Sequence, residues 1–127
     1  CGVGFALGVE RLLLLRDVVL ARSADRIADI YVIIEPDFTG IQAMQLAEQC
    51  RGELLLRVIC NCGAGSMKAQ FKKADKSGAD LALIVGQREL DQGKVGVKFL
   101  RVKLEQEDIE LAKLTEFLIE HFKKIRQ

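Results

Sequence analysis

The residues with the clearest chemical pattern in this sequence are lysines in helical register. Lys68 and Lys72 are followed by Lys76 at the same interval of four residues, and Lys73 lies beside them. At about 100° per residue, this spacing places the ammonium groups on one side of a helix, where they can bind the phosphates of a nucleic acid. Charged helix faces are also common as solvated surfaces, so the spacing leaves both interpretations open. The apolar residues of the segment fall on another side: Met67, Phe71 and Ala74.

The flanking residues predict where this lysine helix begins and ends. Ser66 stands at the N-cap position, where its hydroxyl can accept a backbone N–H bond of the first turn. Gly78 stands one residue past the end, where a left-handed conformation is common. A glycine-containing loop, Asn61–Gly65, precedes the helix, and a fully apolar strand, Leu81–Val85, follows it.

A second candidate for chemistry is an arginine near the start of the chain. Arg11 follows the glycine-rich segment Gly2-Val3-Gly4-Phe5-Ala6-Leu7-Gly8-Val9-Glu10. A guanidinium offers a planar fork of donors to phosphate oxygens, and glycines allow the backbone to approach a nucleotide closely. The alternative is a core strand and helix that carry an incidental arginine.

Composition limits the classes of protein that this chain can represent. With 127 residues, half of them hydrophobic, it can bury a core without disulfides and is not mainly a disordered tail. The net charge is only +1, from 19 basic and 18 acidic residues. A polycation that coats nucleic acid is therefore excluded, and any binding of nucleic acid must come from a local patch.

The cysteines indicate free thiols rather than a metal site. Cys60 and Cys62 are separated by one residue, which is too close for the usual zinc pair, and His121 is the only histidine. We therefore expect no structural metal, reduced thiols and a cytoplasmic location. No apolar run reaches the length of a membrane span. A chain that starts at Cys1 suggests missing upstream residues, with a lipidated cysteine as the alternative.

The hydrophobic pattern predicts alternating strands and helices. Two crossovers between apolar strands imply a parallel core, and the closely spaced later strands imply antiparallel additions. We predict an α/β fold, a three-layer α/β/α sandwich with a mixed, mainly parallel five-stranded sheet. The predicted elements are strand Cys1–Phe5, helix Gly8–Arg22, linker Ser23–Ala28, strand Asp29–Ile34, helix Gly40–Arg51, strand Leu54–Cys60, the lysine helix, strand Leu81–Val85, turn Gln87–Gly93, strand Lys94–Leu100, short strand Leu104–Ile109 and helix Glu110–Lys124.

Two of these helices carry further expectations. The first, Gly8–Arg22, is apolar around most of its circumference, which predicts that it belongs inside a larger body and self-associates when exposed. For helix Gly40–Arg51, ended by Gly52, the expected core residues are Ile41, Met44, Ala47 and Cys50.

The segment that contains Arg11 resembles the third signature motif of class II aminoacyl-tRNA synthetases. The resemblance rests on the glycine-rich strand and on Gly8-Val9-Glu10-Arg11 before an apolar helix. It implies that Arg11 is a catalytic residue of a parent enzyme and contacts the phosphates of ATP. Gly8 and Arg11 would belong to its cofactor site for ATP with Mg²⁺.

The segment from Asn61 to Leu100 resembles the anticodon-binding domain of the histidyl-tRNA synthetase family. The matching positions are Lys68-x-Gln70, Ala74-Asp75, Gly78-Ala79, Val85-Gly86, Glu89-Leu90, Gly93 and Val97-Lys98. The family more often has a run of glycines where this chain has Cys62-Gly63-Ala64-Gly65. Synthetases for threonine, proline and glycine share the fold but differ in this region.

The resemblance implies that the partner is the anticodon of histidine tRNA. The nucleic-acid-binding residues would be Lys68, Gln70, Lys72, Lys73, Glu89 and Lys98. The lysines would contact phosphates, and Gln70 and Glu89 would discriminate bases. Structural roles are the alternative for these two, because Gln70 flanks the apolar side of its helix and Glu89 stands where it could cap a turn. With no Trp and one Tyr, stacking platforms are few.

The same resemblance implies a domain organisation. Residues 1–22 would be a remnant of the catalytic domain, 23–28 a linker and 29–127 the anticodon-binding domain. The parent would be an ATP-dependent histidine–tRNA ligase and a homodimer, whereas this chain alone would be inactive. One alternative is a non-catalytic paralogue or accessory RNA-binding module with the same fold. Another is a generic nucleotide-binding α/β domain, although no phosphate-binding glycine motif follows the strand that ends at Ile34.

Overall fold

The computed structural model describes residues 1–19, 26–36, 38–63 and 65–126. Helices and strands alternate along most of the chain, as the hydrophobic pattern predicts. The elements are α1 (Val9–Val19), β1 (Ile30–Ile34), α2 (Ile41–Leu54), β2 (Val58–Cys60), α3 (Met67–Lys76), β3 (Leu81–Val85), α4 (Gln87–Asp91), β4 (Lys94–Phe99), β5 (Glu107–Glu110) and α5 (Leu111–Arg126).

The five strands form one mixed sheet in the order β2-β1-β3-β4-β5. β1 is central and parallel to both of its neighbours, with Ile30 opposite Val58 on β2 and opposite Leu81 on β3. β4 and β5 add antiparallel strands at one edge. The expected parallel core with later antiparallel additions is therefore confirmed.

The sheet is covered by helices on both faces, which explains why β1 is apolar without alternation. Ile30 and Val32 contribute to a core that includes buried residues of α2 and α5. Tyr31 and Ile33, which point the other way, belong to a second core with Ala74 of α3. The three-layer sandwich is confirmed, and it places the lysine helix alone opposite α2 and α5.

The start of the chain differs from the prediction. Residues 1–8 form no strand and are exposed, with Val3 and Phe5 almost fully accessible. A glycine-rich segment stays extended only when a neighbouring strand takes up its backbone hydrogen bonds. The expected helix is present from Val9 to Val19, and its leucines are 45–68% exposed: Leu12, Leu13, Leu14 and Leu15. Residues 20–25, which include the last three residues of the predicted helix and the first half of the predicted linker, lie outside the described part.

The last residues of the predicted linker are part of the folded domain. Ala28 is fully buried, and the backbone N–H of Ile27 donates to the carbonyl of Ser77 at 2.9 Å. Arg26 forms ion pairs with Asp29 and Asp80. The polar appearance of this segment therefore reflects a charged contact with the amino end of the sheet.

An ion-pair network holds the amino ends of the three parallel strands together. Asp29 precedes β1 and accepts hydrogen bonds from the Arg57 guanidinium at 2.9 and 3.2 Å and from the Arg57 backbone N–H at 2.8 Å. Arg26 pairs with Asp29 and with Asp80, which precedes β3. Burial alone would raise the pKa of Asp29, but the hydrogen bonds and charge of Arg57 lower it below the ordinary value.

α2 is longer and rotated relative to the prediction. It continues through Gly52 and ends at Leu54, and the C-cap residue Leu55 has a left-handed φ of 52°. Gly52 therefore does not end the helix. Ala47 and Cys50 are buried as expected, but Ile41 and Met44 are more than half exposed. The remaining buried positions of α2 are Ala43 and Leu46.

Smaller differences concern the second half of the chain. The predicted turn Gln87–Gly93 contains the short helix α4, and the predicted fifth strand lies later, at Glu107–Glu110. α5 buries Leu114, Leu118 and Phe122, which recur at helical spacing, whereas Ile125 in its last turn is 45% exposed.

Candidate nucleic-acid interface

The lysine helix begins and ends where its caps predict. The hydroxyl of Ser66 accepts a hydrogen bond from the backbone N–H of Ala69 at 3.3 Å, and Gly78 has a left-handed φ of 73°. Ala74 is fully buried, while Met67 and Phe71 are partly buried against the core. The amphipathic orientation follows from these contacts, so the opposite side of α3 faces solvent.

The four lysines of α3 are exposed, and the fold adds a fifth from another element. All of Lys68, Lys72, Lys73 and Lys76 are solvent-accessible. Lys98 of β4 places its Nζ 4.7 Å from the centre of the Phe71 ring, a cation–π contact. This contact holds Lys98 beside α3, although Lys98 comes 22 or more positions after these lysines in sequence. We name these five lysines the basic face.

The far end of α3 is fixed by an arginine that the sequence analysis missed. Arg101 donates from Nη2 to the carbonyl of Asp75 at 2.7 Å and from Nε to the carbonyl of Ala79 at 3.0 Å. It also forms an ion pair with the Asp75 carboxylate at 3.2 Å. A cation bound to the last carbonyls of a helix is favourable because these groups carry the negative end of the helix dipole. Arg101 thus anchors the basic face to the loop after β4.

A cavity of about 580 Å³ lies at the carboxyl end of the sheet, and no pattern in the sequence indicated it. It lies between the loop from β1 to α2 and the loop from β2 to α3. The helices α2 and α3 cover opposite faces of the sheet. Ligands of open α/β sheets bind where successive connections leave to opposite faces. The residues that line the cavity are Ile34, Glu35, Pro36, Phe38, Thr39, Gly40, Ile41, Met44, Cys60, Asn61, Cys62, Gly63, Gly65 and Gln70.

The cavity accounts for the misplaced core residues of α2. Ile41 and Met44 line the cavity, so their apolar side chains face this opening and not the buried core. Phe38 adds an aromatic ring, the kind of surface on which an unpaired base can stack. Periodicity cannot distinguish a side chain that faces the core from one that faces a cavity in the same layer.

Polar groups also line the cavity. Glu35 supplies a carboxylate that lies directly against Gly86, where a Cβ would overlap its atoms. Cys60 and Cys62 line the cavity as well, and burial raises the pKa of the Cys60 thiol. The described part of the chain contains no group of three or more His, Cys, Asp or Glu residues suited to a metal ion.

Gln70 is placed differently from the four lysines of its helix. It is 2% exposed, and its amide hydrogen-bonds to the backbone of Ile34 and Gly65. These contacts match the structural alternative for Gln70. Its amide oxygen and nitrogen both bond to the backbone, so the amide is not free to contact a base. Glu89 lies in the first turn of α4, and its Oε2 is buried without a partner among the described residues.

The two residues expected to bind ATP lie in the exposed start of the chain. Arg11 is on the first turns of α1, and its aliphatic stem lies 3.6–3.8 Å from where a Cβ on Gly8 would be. Every residue from 1 to 16 is exposed, so this segment alone does not enclose a nucleotide. None of the described helices is long and apolar enough to cross a membrane.

The chain is thus a mixed α/β domain with an exposed basic face and a cavity at the carboxyl edge of its sheet. The family model described as "Anticodon binding domain" matches residues 31–121. The chain therefore belongs to the anticodon-binding domain family of class II aminoacyl-tRNA synthetases, which act as ligases.

Solved structures of several synthetases resemble this chain. It is 28% identical to histidyl-tRNA synthetase from Nostoc sp. PCC 7120, with a TM-score of 0.69, over 91% of this chain and 28% of that one. For apo histidyl-tRNA synthetase from S. aureus, the values are 27% identity and a TM-score of 0.65, over 86% and 32% of the two chains. A prolyl-tRNA synthetase from Cryptosporidium parvum has the same fold, with 16% identity, a TM-score of 0.67 and coverage of 77% and 22%. The chain thus spans about a quarter to a third of the histidyl enzymes.

Proposed function

We propose that this chain is the anticodon-recognition part of a histidyl-tRNA synthetase. The observation that carries the proposal is the difference in sequence identity between this chain and synthetases of similar fold. Identity is 27–28% with the two histidyl enzymes but 15–18% with the prolyl and threonyl ones. The partner would be the anticodon of histidine tRNA, and the parent reaction would be ligation of histidine to that tRNA.

The extent of the match supports the same specificity. Coverage of 91% of 127 residues is about 116 residues, whereas residues 29–127 number only 99. The match to the Nostoc enzyme therefore extends into the first 28 residues, while coverage of 68–77% in the threonyl and prolyl enzymes does not require this. In this proposal, residues 1–22 are a remnant of the catalytic domain and residues 29–127 are the anticodon-binding domain.

The site suggests which residues contact the phosphates of the RNA and which contact its bases. Ammonium groups of the basic face, among them Lys68, Lys72, Lys73 and Lys98, bind phosphates of the anticodon arm and carry no base information. The cavity takes an unstacked anticodon base, with Phe38 as an apolar surface and Glu35 as an acceptor for amino or imino hydrogens. Glu89 stays a candidate for base discrimination, placed at the start of α4.

In the parent enzyme, Gly8 and Arg11 contribute to the site for ATP with Mg²⁺, where Arg11 holds phosphate oxygens. This chain alone forms no histidyl-adenylate, because Arg11 lies in an exposed segment. The parent is a cytoplasmic homodimer in this proposal. A non-catalytic paralogue or accessory RNA-binding module would keep the anticodon site without the ATP site.

Anticodon stem-loop binding tests the proposed specificity. The 127-residue chain is titrated with stem-loops of histidine, threonine and proline tRNA at one salt concentration in a filter-binding assay. We expect the histidine stem-loop to bind at least about tenfold more tightly, the ratio that one well-formed base contact provides. Equal affinity for the three stem-loops, or preference for another one, refutes the histidine assignment.

A further inference from the structure

Two buried amide side chains form hydrogen bonds with the loop that leads into the lysine helix. Gln70 is 2% exposed and Asn61 is 6% exposed, although both types of side chain usually lie at the surface. A buried amide is tolerated only when its donors and acceptor are satisfied. Three of the residues that hydrogen-bond to these two amides line the cavity: Ile34, Gly63 and Gly65. We name the residues Asn61, Cys62, Gly63 and Gly65 the glycine loop.

Gln70 joins the two walls of the cavity. Its Oε1 accepts a hydrogen bond from the backbone N–H of Ile34 at 2.9 Å, and its Nε2 donates to the carbonyl of Ile34 at 2.7 Å. The same Nε2 donates to the carbonyl of Gly65 at 3.1 Å. One side chain thus connects the last residue of β1 with the end of the glycine loop, and both of its amide hydrogens are used.

Asn61 holds the beginning of the same loop. Its Nδ2 donates to the carbonyl of Gly63 at 3.1 Å, and its Oδ1 accepts a hydrogen bond from the Tyr31 hydroxyl at 3.2 Å. Its backbone N–H donates to the carbonyl of Val32 at 3.0 Å, which extends the β2 pairing by one step. Gly63 has a φ of 96°, a conformation that residues with a side chain rarely adopt, so glycine is favoured at this position.

We infer that Gln70 and Asn61 are positioning residues that fix the width and shape of the cavity, and thereby determine which base it accepts. The inference rests on the proposed function. Preorganised walls favour one ligand because no ordering of the loop is needed on binding. The phosphate contacts are independent of this arrangement, because the exposed lysines are not partners of either amide. Loss of the amides should therefore reduce discrimination between bases and leave the salt dependence of binding unchanged.

The test uses the full chain with Gln70→Met and, separately, Asn61→Ala. Two stem-loop RNAs are compared, one with the histidine anticodon and one with a single anticodon base changed. We expect the ratio of their affinities to fall about tenfold in both variants, the value of one base contact, with an unchanged slope of log affinity against log salt. Far-ultraviolet circular dichroism verifies that each variant is folded.

Ser77→Ala is the matched control. Ser77 is buried at the other end of α3, where its hydroxyl donates to the carbonyl of Ala74 at 2.6 Å, so the variant loses a buried hydrogen bond away from the cavity. It should lower stability and leave the affinity ratio intact. If Gln70→Met does not fold, Gln70→Glu retains the acceptor for the N–H of Ile34 and replaces the donors by a carboxylate oxygen, which cannot donate to the carbonyls of Ile34 and Gly65.

The outcomes separate the inference from the proposal beneath it. A wild-type chain that discriminates, together with folded variants that discriminate equally well, overturns the positioning role alone. Equal weakening of both RNAs in the variants also overturns it, since that result indicates a general structural effect. A wild-type chain that binds the two RNAs equally overturns both the inference and the proposed function.

Discussion

Neutralisation of two lysines of the basic face tests where the phosphates of the RNA bind. Lys68 and Lys72 lie one turn apart on the exposed side of α3, and neither holds the helix in place. The Lys68→Gln, Lys72→Gln double variant should therefore keep its fold, because the caps at Ser66 and Gly78 and the Arg101 anchor are intact. Its RNA affinity should fall, and fall most at low salt.

The magnitude follows from counterion release. Each lost phosphate contact lowers the slope of log affinity against log salt by about 0.7 to 0.9, so two contacts lower it by roughly 1.4 to 1.8. Between 50 and 200 mM salt, the logarithm of concentration changes by about 0.6. The wild-type chain should therefore lose roughly 7 to 12 times more affinity over this range than the variant does.

The assay is filter binding of the histidine anticodon stem-loop across that range of salt. A matched control replaces Lys113 and Lys123 of α5, on the opposite face of the sheet, and lowers the net charge from +1 to −1, as the test variant does. The ion pair of Lys113 with Glu110 is exposed and contributes little to stability. An unchanged slope in the test variant, or an equal change in the control, would place the RNA elsewhere on the domain.

Two further predictions concern the two ends of the sheet. Asp29→Asn should lower the free energy of unfolding at pH 7 by about 2 to 4 kcal/mol, measured by urea denaturation, because its arginine partners lose a buried counter-charge. Because the pKa of Asp29 is below its ordinary value, the charged carboxylate stabilises the folded state in full above about pH 4. This stabilisation is lost as the pH falls through the lower, folded-state pKa. An Asp29→Asn variant with an unchanged acid transition would contradict this reasoning. Gly86→Ala should move the carboxylate of Glu35 and lower affinity for the histidine stem-loop severalfold with little loss of stability, since the overlapping atoms are the far end of a flexible side chain. The control is Gly52→Ala, because Gly52 lies in α2 with open space around it. This variant should stabilise the fold by roughly 0.5 to 1 kcal/mol without changing RNA binding. Full RNA affinity in Gly86→Ala would exclude Glu35 from the site.

Local signals in the sequence determined the elements that bear the basic face. The apolar run Leu81–Val85 became a strand buried along its whole length, because a sheet covered on both faces requires it. Ser66 and Gly78 set the limits of α3, since a capping hydroxyl and a left-handed glycine act on neighbouring backbone groups only. The order of apolar strands and amphipathic helices was likewise enough to predict the mixed three-layer fold.

The tertiary structure decided every contact between residues far apart in the chain. Lys98 reaches the basic face only because β4 pairs with β3 beneath α3. In sequence, Gln70 flanks the apolar side of its helix, but its hydrogen-bond partner could not be read there, because Ile34 lies 36 residues earlier. The expected strand at the start of the chain did not form, since a strand needs a neighbour that the pattern of one segment cannot specify.

The cavity is the clearest case of what sequence alone could not supply. Its walls come from two loops that are separate in the chain, and they meet because β1 and β2 are adjacent and parallel while their following helices lie on opposite faces. Ile41 and Met44 carry the helical period of core residues but line this opening instead. Sequence thus determined which side chains are apolar or charged, and the packing of the sheet determined which of them share a surface, because burial depends on neighbours that only the folded chain brings together.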